Sequence, residues 1–345
     1  MRNVLVKYDN LLVLRGTACF VVVLNHLLGF APIDLYVPFG FHSVWLFFFI
    51  SAYLLTKGFI TGRFGTLKAY YISRATRLLP AFYFVQIIVV TFVLCSIAPS
   101  ENFPIGNPIV RLLRESSILI LAPWTPYIHA SGSWNSVVWS LVIEIHFILL
   151  IPFFFHSKIK TLTLIIIAWM CMLLVFEYNN VEIWNDNYEA HYYNLGFFVA
   201  GITAARIEES GICIVLKKWL ATIILGLSIL IIDLRAHIDL QQTLRLAPIF
   251  FVPMLIIVFP TFCSKFYKTN TPKKYIDLLP SFNPISILEK VGAISYSLFL
   301  IHKFIGITLI HYFGFIVGFL GVFIFASILY IEVEMRFRHI HLRTI

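Results

Sequence analysis

Charge is what this sequence has least of. Only 12% of its 345 residues are Asp, Glu, Lys or Arg, against 60% hydrophobic, where a soluble domain carries roughly 25% charged residues. That shortage excludes an ordinary soluble domain and points to a polytopic membrane protein. Paired cysteines are lacking too. Cys19, Cys95, Cys171, Cys213 and Cys263 lie in or beside apolar runs with no repeated spacing, which leaves them as small hydrophobes and excludes a disulfide or zinc framework. No Asn-x-Ser/Thr sequon occurs, in keeping with a bacterial inner membrane. Acidic residues are outnumbered 17 to 26 by basic ones, a net charge of +9. The basic residues are nevertheless spread over short segments between apolar runs, where they report topology, and no nucleic-acid partner is expected. A cleavable leader is also missing from the reading. The opening MRNVLVK resembles a signal n-region, but Arg15 interrupts the apolar run and no small-residue cleavage site follows, so the N-terminus is expected to be retained.

What the sequence has in quantity is apolar runs long enough to cross a bilayer, roughly 17–25 residues each. Ten can be placed, near 11–30, 41–60, 77–97, 135–155, 161–177, 190–207, 215–233, 244–262, 290–311 and 313–333. The expected fold is therefore all-α: an integral membrane bundle of about ten transmembrane helices forming one domain over 1–345. Twenty of the 26 Lys and Arg fall in the N-terminus, the alternate loops and the C-terminal tail. The opposite segments hold only Arg111, Arg114, Arg235 and Arg245, and Arg15 and Lys303 lie inside helices. The positive-inside rule then places both termini in the cytoplasm.

Polar residues inside the spans are the exceptions that point to function, because ionisable groups in a bilayer are costly. The stretch from Asp9 to Leu28 carries Arg15 and His26, eleven residues apart. At about 100° and 1.5 Å per residue they share one helix face, roughly 16 Å apart. Arg74 and Arg77, at i and i+3 on a helix start, share a face on the cytoplasmic side. With Arg15 at that same side they form a candidate anion site, since a guanidinium presents a planar fork to phosphate. In the fourth span Ser140 and Glu144 are one turn apart, with Glu144 roughly 14 Å in from the outer end. A carboxylate at that depth needs a partner, and His26 and the arginines are the candidates. In the ninth span Ser295 and His302 again share a face. Adjacent Lys303 points about 100° away and is left to solvent or an acidic partner. Glu332 and Arg336 are spaced for an ordinary i, i+4 pair. His339 and His341 lack further ligands, and no metal is expected. Trp124 and Trp134, beside the long outer loop at 98–134, fit either an interfacial aromatic belt, the preferred reading, or stacking on a sugar.

Together these landmarks resemble the acyltransferase-3 family of membrane acyltransferases, best known as O-acetyltransferases of bacterial surface polysaccharides. Five places match in order across nearly the whole chain. They are Leu14-Arg15-Gly16 with His26; Trp45-Leu-Phe-Phe-Phe-Ile-Ser51-Ala-Tyr53; Ser73-Arg74-Ala-Thr-Arg77-Leu-Leu-Pro80; Trp139-Ser-Leu-Val-Ile-Glu144 with Pro152; and Gly292-Ala-Ile-Ser295-Tyr296-Ser-Leu-Phe-Leu-Ile-His302. The chain departs from the family pattern where Leu12 and Val13 replace its Asp-Gly, where Ser51-Ala52-Tyr53 replaces its Ser-Gly-Phe, and where Glu332-Val-Glu334 replaces its Glu-x-Pro.

The resemblance implies about ten helices, a cytoplasmic acyl-CoA donor, and transfer to an acceptor reached within or across the membrane. It also implies that Arg15, His26, Arg74 and Arg77 lie at the functional centre. Acetyl-CoA is the default donor, and a surface polysaccharide or its lipid-linked precursor, held among membrane lipids, the default acceptor. The extracytoplasmic domain carried by some members is not expected here, which leaves room for a separate extracytoplasmic partner. A thioester is already activated, so the chemistry needs a base for the accepting hydroxyl and donors for the developing oxyanion. His26 is the candidate base, a covalent acyl-histidine being equally compatible. Glu144 or His302 would orient it. Arg15, Arg74 and Arg77 would hold the phosphates, with Ser140 and Ser295 on the substrate side. A transporter could use the same residues as a substrate or proton path, but no internal repeat of the kind transporters carry is visible.

Overall fold

The computed structural model describes residues 2–30, 40–99, 134–178, 191–210, 251–256, 259 and 284–337, with side chains from Leu11 onward except at 41, 177, 191, 192, 284 and 285. Among these, regular structure is entirely helical. In chain order the helices are α1 (Arg2–Leu28), α2 (Gly40–Ile60), α3 (Leu67–Leu94), α4 (Val138–Phe154), α5 (Ile159–Tyr178), α6 (His191–Glu209), α7 (Pro284–Ala293), α8 (Ser295–Phe313) and α9 (Phe315–Leu329). α9 runs on as a π-helix over Tyr330–Met335. Six segments among the described residues are long and apolar enough to cross a membrane: Leu11–Leu28, His42–Ile60, Leu67–Leu94, Ile159–Phe176, Ser295–Phe313 and Phe315–Met335. The protein is a multi-pass, all-α membrane protein. The span expected at 215–233, most of that at 244–262, and nearly all of the 98–134 loop lie outside the described residues.

Two expectations need correction. The ninth span is not one helix over 290–311; it is α7 and α8, joined at the single non-helical residue Ile294. Periodicity misses such a joint because the apolar pattern continues through it, and hydrogen bonds from Ile294 N to Lys290 O and from Leu298 N to Ile294 O keep the two helices in near register. The third helix begins at Leu67, ten residues before the expected 77. Thr66 sets that start: its extended backbone ends the preceding turn, and its side chain accepts from Ala69 N at 3.1 Å, a helix N-cap. Arg74 and Arg77 therefore sit two to three turns inside a helix, not at its beginning. Pro80 lies within α3 as well, a position membrane helices tolerate when neighbours re-satisfy the freed backbone.

The chain separates into two compact units. The first comprises 1–11, 45–63 and 147–284; the second comprises 12–44, 64–146 and 285–345. The first unit is built on aromatic packing. Trp45 stacks on Phe197 with centroids 4.8 Å apart, and Trp169 meets the same ring edge-on. At the far end of α2, Tyr53 donates to Glu208 of α6, and Lys57 lies 3.5 Å from the same carboxylate.

The second unit is held by close helix crossings. A Cβ on Gly16 of α1 would lie 1.9 Å from Leu288 O, and one on Gly292 would lie 1.9 Å from Leu12 O. α1 and α7 thus touch backbone to backbone, the approach that small residues permit between membrane helices. Near its C-terminal end α1 packs Leu27 onto Gly306 of α8. α8 and α9 fold back on each other about Gly314, whose φ of 81° and ψ of 171° favour glycine.

Candidate active site

Every residue singled out by the sequence falls in the second unit: Arg15, His26, Arg74, Arg77, Ser140, Glu144, Ser295 and His302. α8 organises them at two levels, the turn at 295–297 and His302, separated by roughly 9 Å of helix.

At the lower level each residue of the first turn of α8 reaches a different helix. The Cys19 thiol of α1 donates to Ser295 O at 3.5 Å. Tyr296 Oη donates to Leu78 O of α3 at 2.6 Å. Ser297 Oγ donates to Glu334 Oε1 in the π-helix. The Arg15 guanidinium, one turn before Cys19, acts on the Cys19 thiol. Arg74 is oriented by a 2.9 Å bond from Nη2 to Ser73 Oγ and by the Phe64 ring, 5.6 Å from its Cζ, a cation–π contact. Ser295 Oγ is buried and has no hydrogen-bond partner among the described residues.

At the upper level His26 and His302 meet. His26 Nδ1 lies 2.8 Å from His302 Nε2, the rings 5.0 Å apart and inclined by 27°. His302 Nδ1 lies 2.8 Å from Phe299 O. A carbonyl oxygen only accepts, so Nδ1 of His302 carries hydrogen and the lone pair of its neutral ring is at Nε2. His26 Nδ1 must then be the donor of the shared bond, which leaves the lone pair of His26 at Nε2. The chain from Phe299 O through His302 to His26 fixes both tautomers. His302 is fully buried, whereas His26 is half-buried and so approachable. Lys303 acts on both rings.

Of the two residues expected to orient His26, His302 is the one hydrogen-bonded to it. The Ser140 hydroxyl donates to Val137 O within its own segment. Trp134 is 2% exposed, so it is neither an interfacial belt residue nor a free stacking platform; the apolar ring is packed inside the protein. Trp124 lies outside the described residues. Glu332 pairs with Arg336 at i, i+4 as the spacing predicts.

Two contributors escaped the sequence reading. Asn135, buried, donates from Nδ2 to Leu300 O at 2.9 Å and so ties the start of α4 to α8 beside His302. Its signal was a lone amide leading into an apolar run. Glu334 is 1% exposed, and nothing in its spacing marks it as inward, because the π-helix shifts the phase of the final turns.

His26 of α1 and His302 of α8 thus meet in the same unit that carries Arg15 of α1 and Arg74 and Arg77 of α3. Among known families, the acyltransferase-3 model, described as an acyltransferase domain, matches residues 8–331. The chain belongs to this family. No curated protein and no solved structure matches it.

Proposed function

We propose that the protein transfers an acyl group, acetyl by default, from cytoplasmic acyl-CoA to a hydroxyl of a cell-surface carbohydrate such as O-antigen, capsule or exopolysaccharide, or to its lipid-linked precursor. The observation that carries the reading is the Phe299–His302–His26 hydrogen-bond chain, because it leaves a basic nitrogen on an approachable ring. Arg15, Arg74 and Arg77 hold the donor phosphates, with Ser295 Oγ and Ser140 on the substrate side. His26 Nε2 takes the proton of the acceptor hydroxyl as its oxygen attacks the thioester carbonyl. The imidazolium so formed is stabilised by donating from Nδ1 to His302 Nε2, as the third member of a triad steadies its base. When the tetrahedral intermediate collapses, the C–S bond breaks, the ester remains on the acceptor, and the Nε2 proton goes to the departing thiolate. Glu144 balances the arginine cluster at the lower level.

This reading includes ten spans with both termini in the cytoplasm of a bacterial inner membrane, so that the lower level faces the donor, and a separate extracytoplasmic partner that finishes delivery. It is tested with acetyl-CoA labelled in the acetyl group, supplied to membranes carrying the wild type, His26→Ala or Arg74→Ala. Label is expected in surface polysaccharide with the wild type alone. Transfer that persists in both folded variants removes the site.

A further inference from the structure

Glu334 is a charged residue at the site for which the mechanism above has no use. It sits on a π-helical turn, a geometry that appears mostly as isolated turns and often at functional sites. Its neighbours show what that turn does: Ile331 is 58% exposed, whereas Glu334 is 1% exposed. The helix therefore passes from lipid-facing to inward-facing within three residues. A carboxylate buried within a membrane protein needs both hydrogen bonds and a compensating charge. Ser297 Oγ supplies a bond. A basic residue lies on α3, which packs against the π-helix: Arg77 precedes Leu78, whose carbonyl accepts from Tyr296, the neighbour of the Ser297 that donates to Glu334.

We propose that Glu334 is a positioning residue for donor binding: through the first turn of α8 it holds Arg77 in the orientation that the acyl-CoA phosphates require. The proposal rests on the acyl-CoA reading given above. It assigns this role to a position where the resembled pattern has proline, which could neither carry charge nor accept from Ser297. A carboxylate anchored at this crossing would restrict the guanidinium's rotamers before the donor arrives, leaving less ordering to be done on binding. It does not touch the reacting atoms, and its removal is felt in donor affinity more than in turnover.

The test measures KM and kcat for acetyl-CoA and for acetyl-pantetheine, which keeps the thioester but lacks the nucleotide phosphates, in wild type, Glu334→Gln, Arg77→Gln and the double variant. Glu334→Gln is expected to raise KM for acetyl-CoA by about ten- to a hundredfold, the value of one charge-assisted hydrogen bond, with kcat changed less than threefold. It should leave acetyl-pantetheine kinetics alone and add nothing to Arg77→Gln. A lowered kcat with unchanged KM, or an equal effect on both donors, overturns the proposal and reduces Glu334 to a clamp between α8 and the π-helix. Should Glu334→Gln fail to accumulate in membranes, Ser297→Ala keeps the carboxylate and removes its bond to α8. It is expected to raise KM for acetyl-CoA about threefold or more, and an unchanged KM has the same overturning force. A wild type that uses neither donor sinks the acyl-CoA reading itself, an outcome distinct from an active wild type indifferent to Glu334.

Discussion

Replacing His302 tests the tautomer argument most directly. In the resting site His302 Nε2 accepts from His26 Nδ1 at 2.8 Å. As His26 takes the acceptor's proton, that hydrogen bond becomes one to a charged donor. A neutral bond contributes about 0.5–1.5 kcal/mol and a bond to a charged group about 1.5–3 kcal/mol, so the strengthening falls on the transition state and its loss appears in kcat. His302→Ala also frees the His26 ring to turn, and the freed ring spends time with Nδ1 or the wrong edge toward the acceptor. Together these place the cost at roughly 2–4 kcal/mol, a fall in kcat of about thirty- to a thousandfold. His302→Gln places an amide oxygen near the former Nε2 and is expected to recover about tenfold of that loss, because an acceptor is restored. The assay is single-turnover transfer from saturating acetyl-CoA in solubilised membranes, with chromatographic homogeneity checked for each variant. Equal kcat in His302→Ala and wild type, in a folded protein in which His26→Ala is inactive, refutes the relay. Equal activity of the Gln and Ala variants refutes the acceptor role while leaving His302 a packing residue.

Other expectations follow from the same geometry. Arg74→Ala and Arg77→Ala should each raise KM for acetyl-CoA at least tenfold with a smaller change in kcat, and added salt should narrow the gap to wild type, because screening weakens the attraction that only the wild type retains; steady-state kinetics at two ionic strengths checks this. Gly16→Ala places a methyl 1.9 Å from Leu288 O, a backbone atom that cannot step aside, so a loss of about 3 kcal/mol, at the top of the usual range for overpacking, should appear as a lowered midpoint in thermal unfolding. Gly314→Ala forces a Cβ onto a backbone with φ 81° and should cost about 1–3 kcal/mol in the same measurement. Thr66→Ala removes the cap of α3 and should cost about 1 kcal/mol.

Much of this architecture was legible because the bilayer simplifies the code. Span length is fixed by membrane thickness, so α2, α4, α5 and α6 fall close to where apolar runs put them. Polar residues within the runs stand out, and eleven-residue spacing sufficed to put Arg15 and His26 on one face. What stayed hidden depends on local backbone geometry that hydropathy does not record. The joint at Ile294 interrupts no apolar pattern. The π-helix at 330–335 rotates Glu334 inward although its spacing from Glu332 says nothing of the kind. The choice between Glu144 and His302 as partner of His26 was equally beyond a periodicity argument, since it depends on which helix packs beside α1, a tertiary fact.

The glycine crossings have a consequence for which donors the site admits. α1 is pinned at its middle by Gly16 against α7 and near its C-terminal end by Leu27 against Gly306, and between those points it is a continuous helix. Arg15 and His26 are carried on that one rod, roughly 16 Å apart by helical rise. The rod cannot shorten when a substrate arrives, so it serves as a gauge. A donor anchored at the arginine end delivers its carbonyl to His26 only if its arm is as long as the gauge. The pantetheine arm of coenzyme A gives such a reach, whereas a short acyl phosphate anchored by the same arginines would stop well below the base.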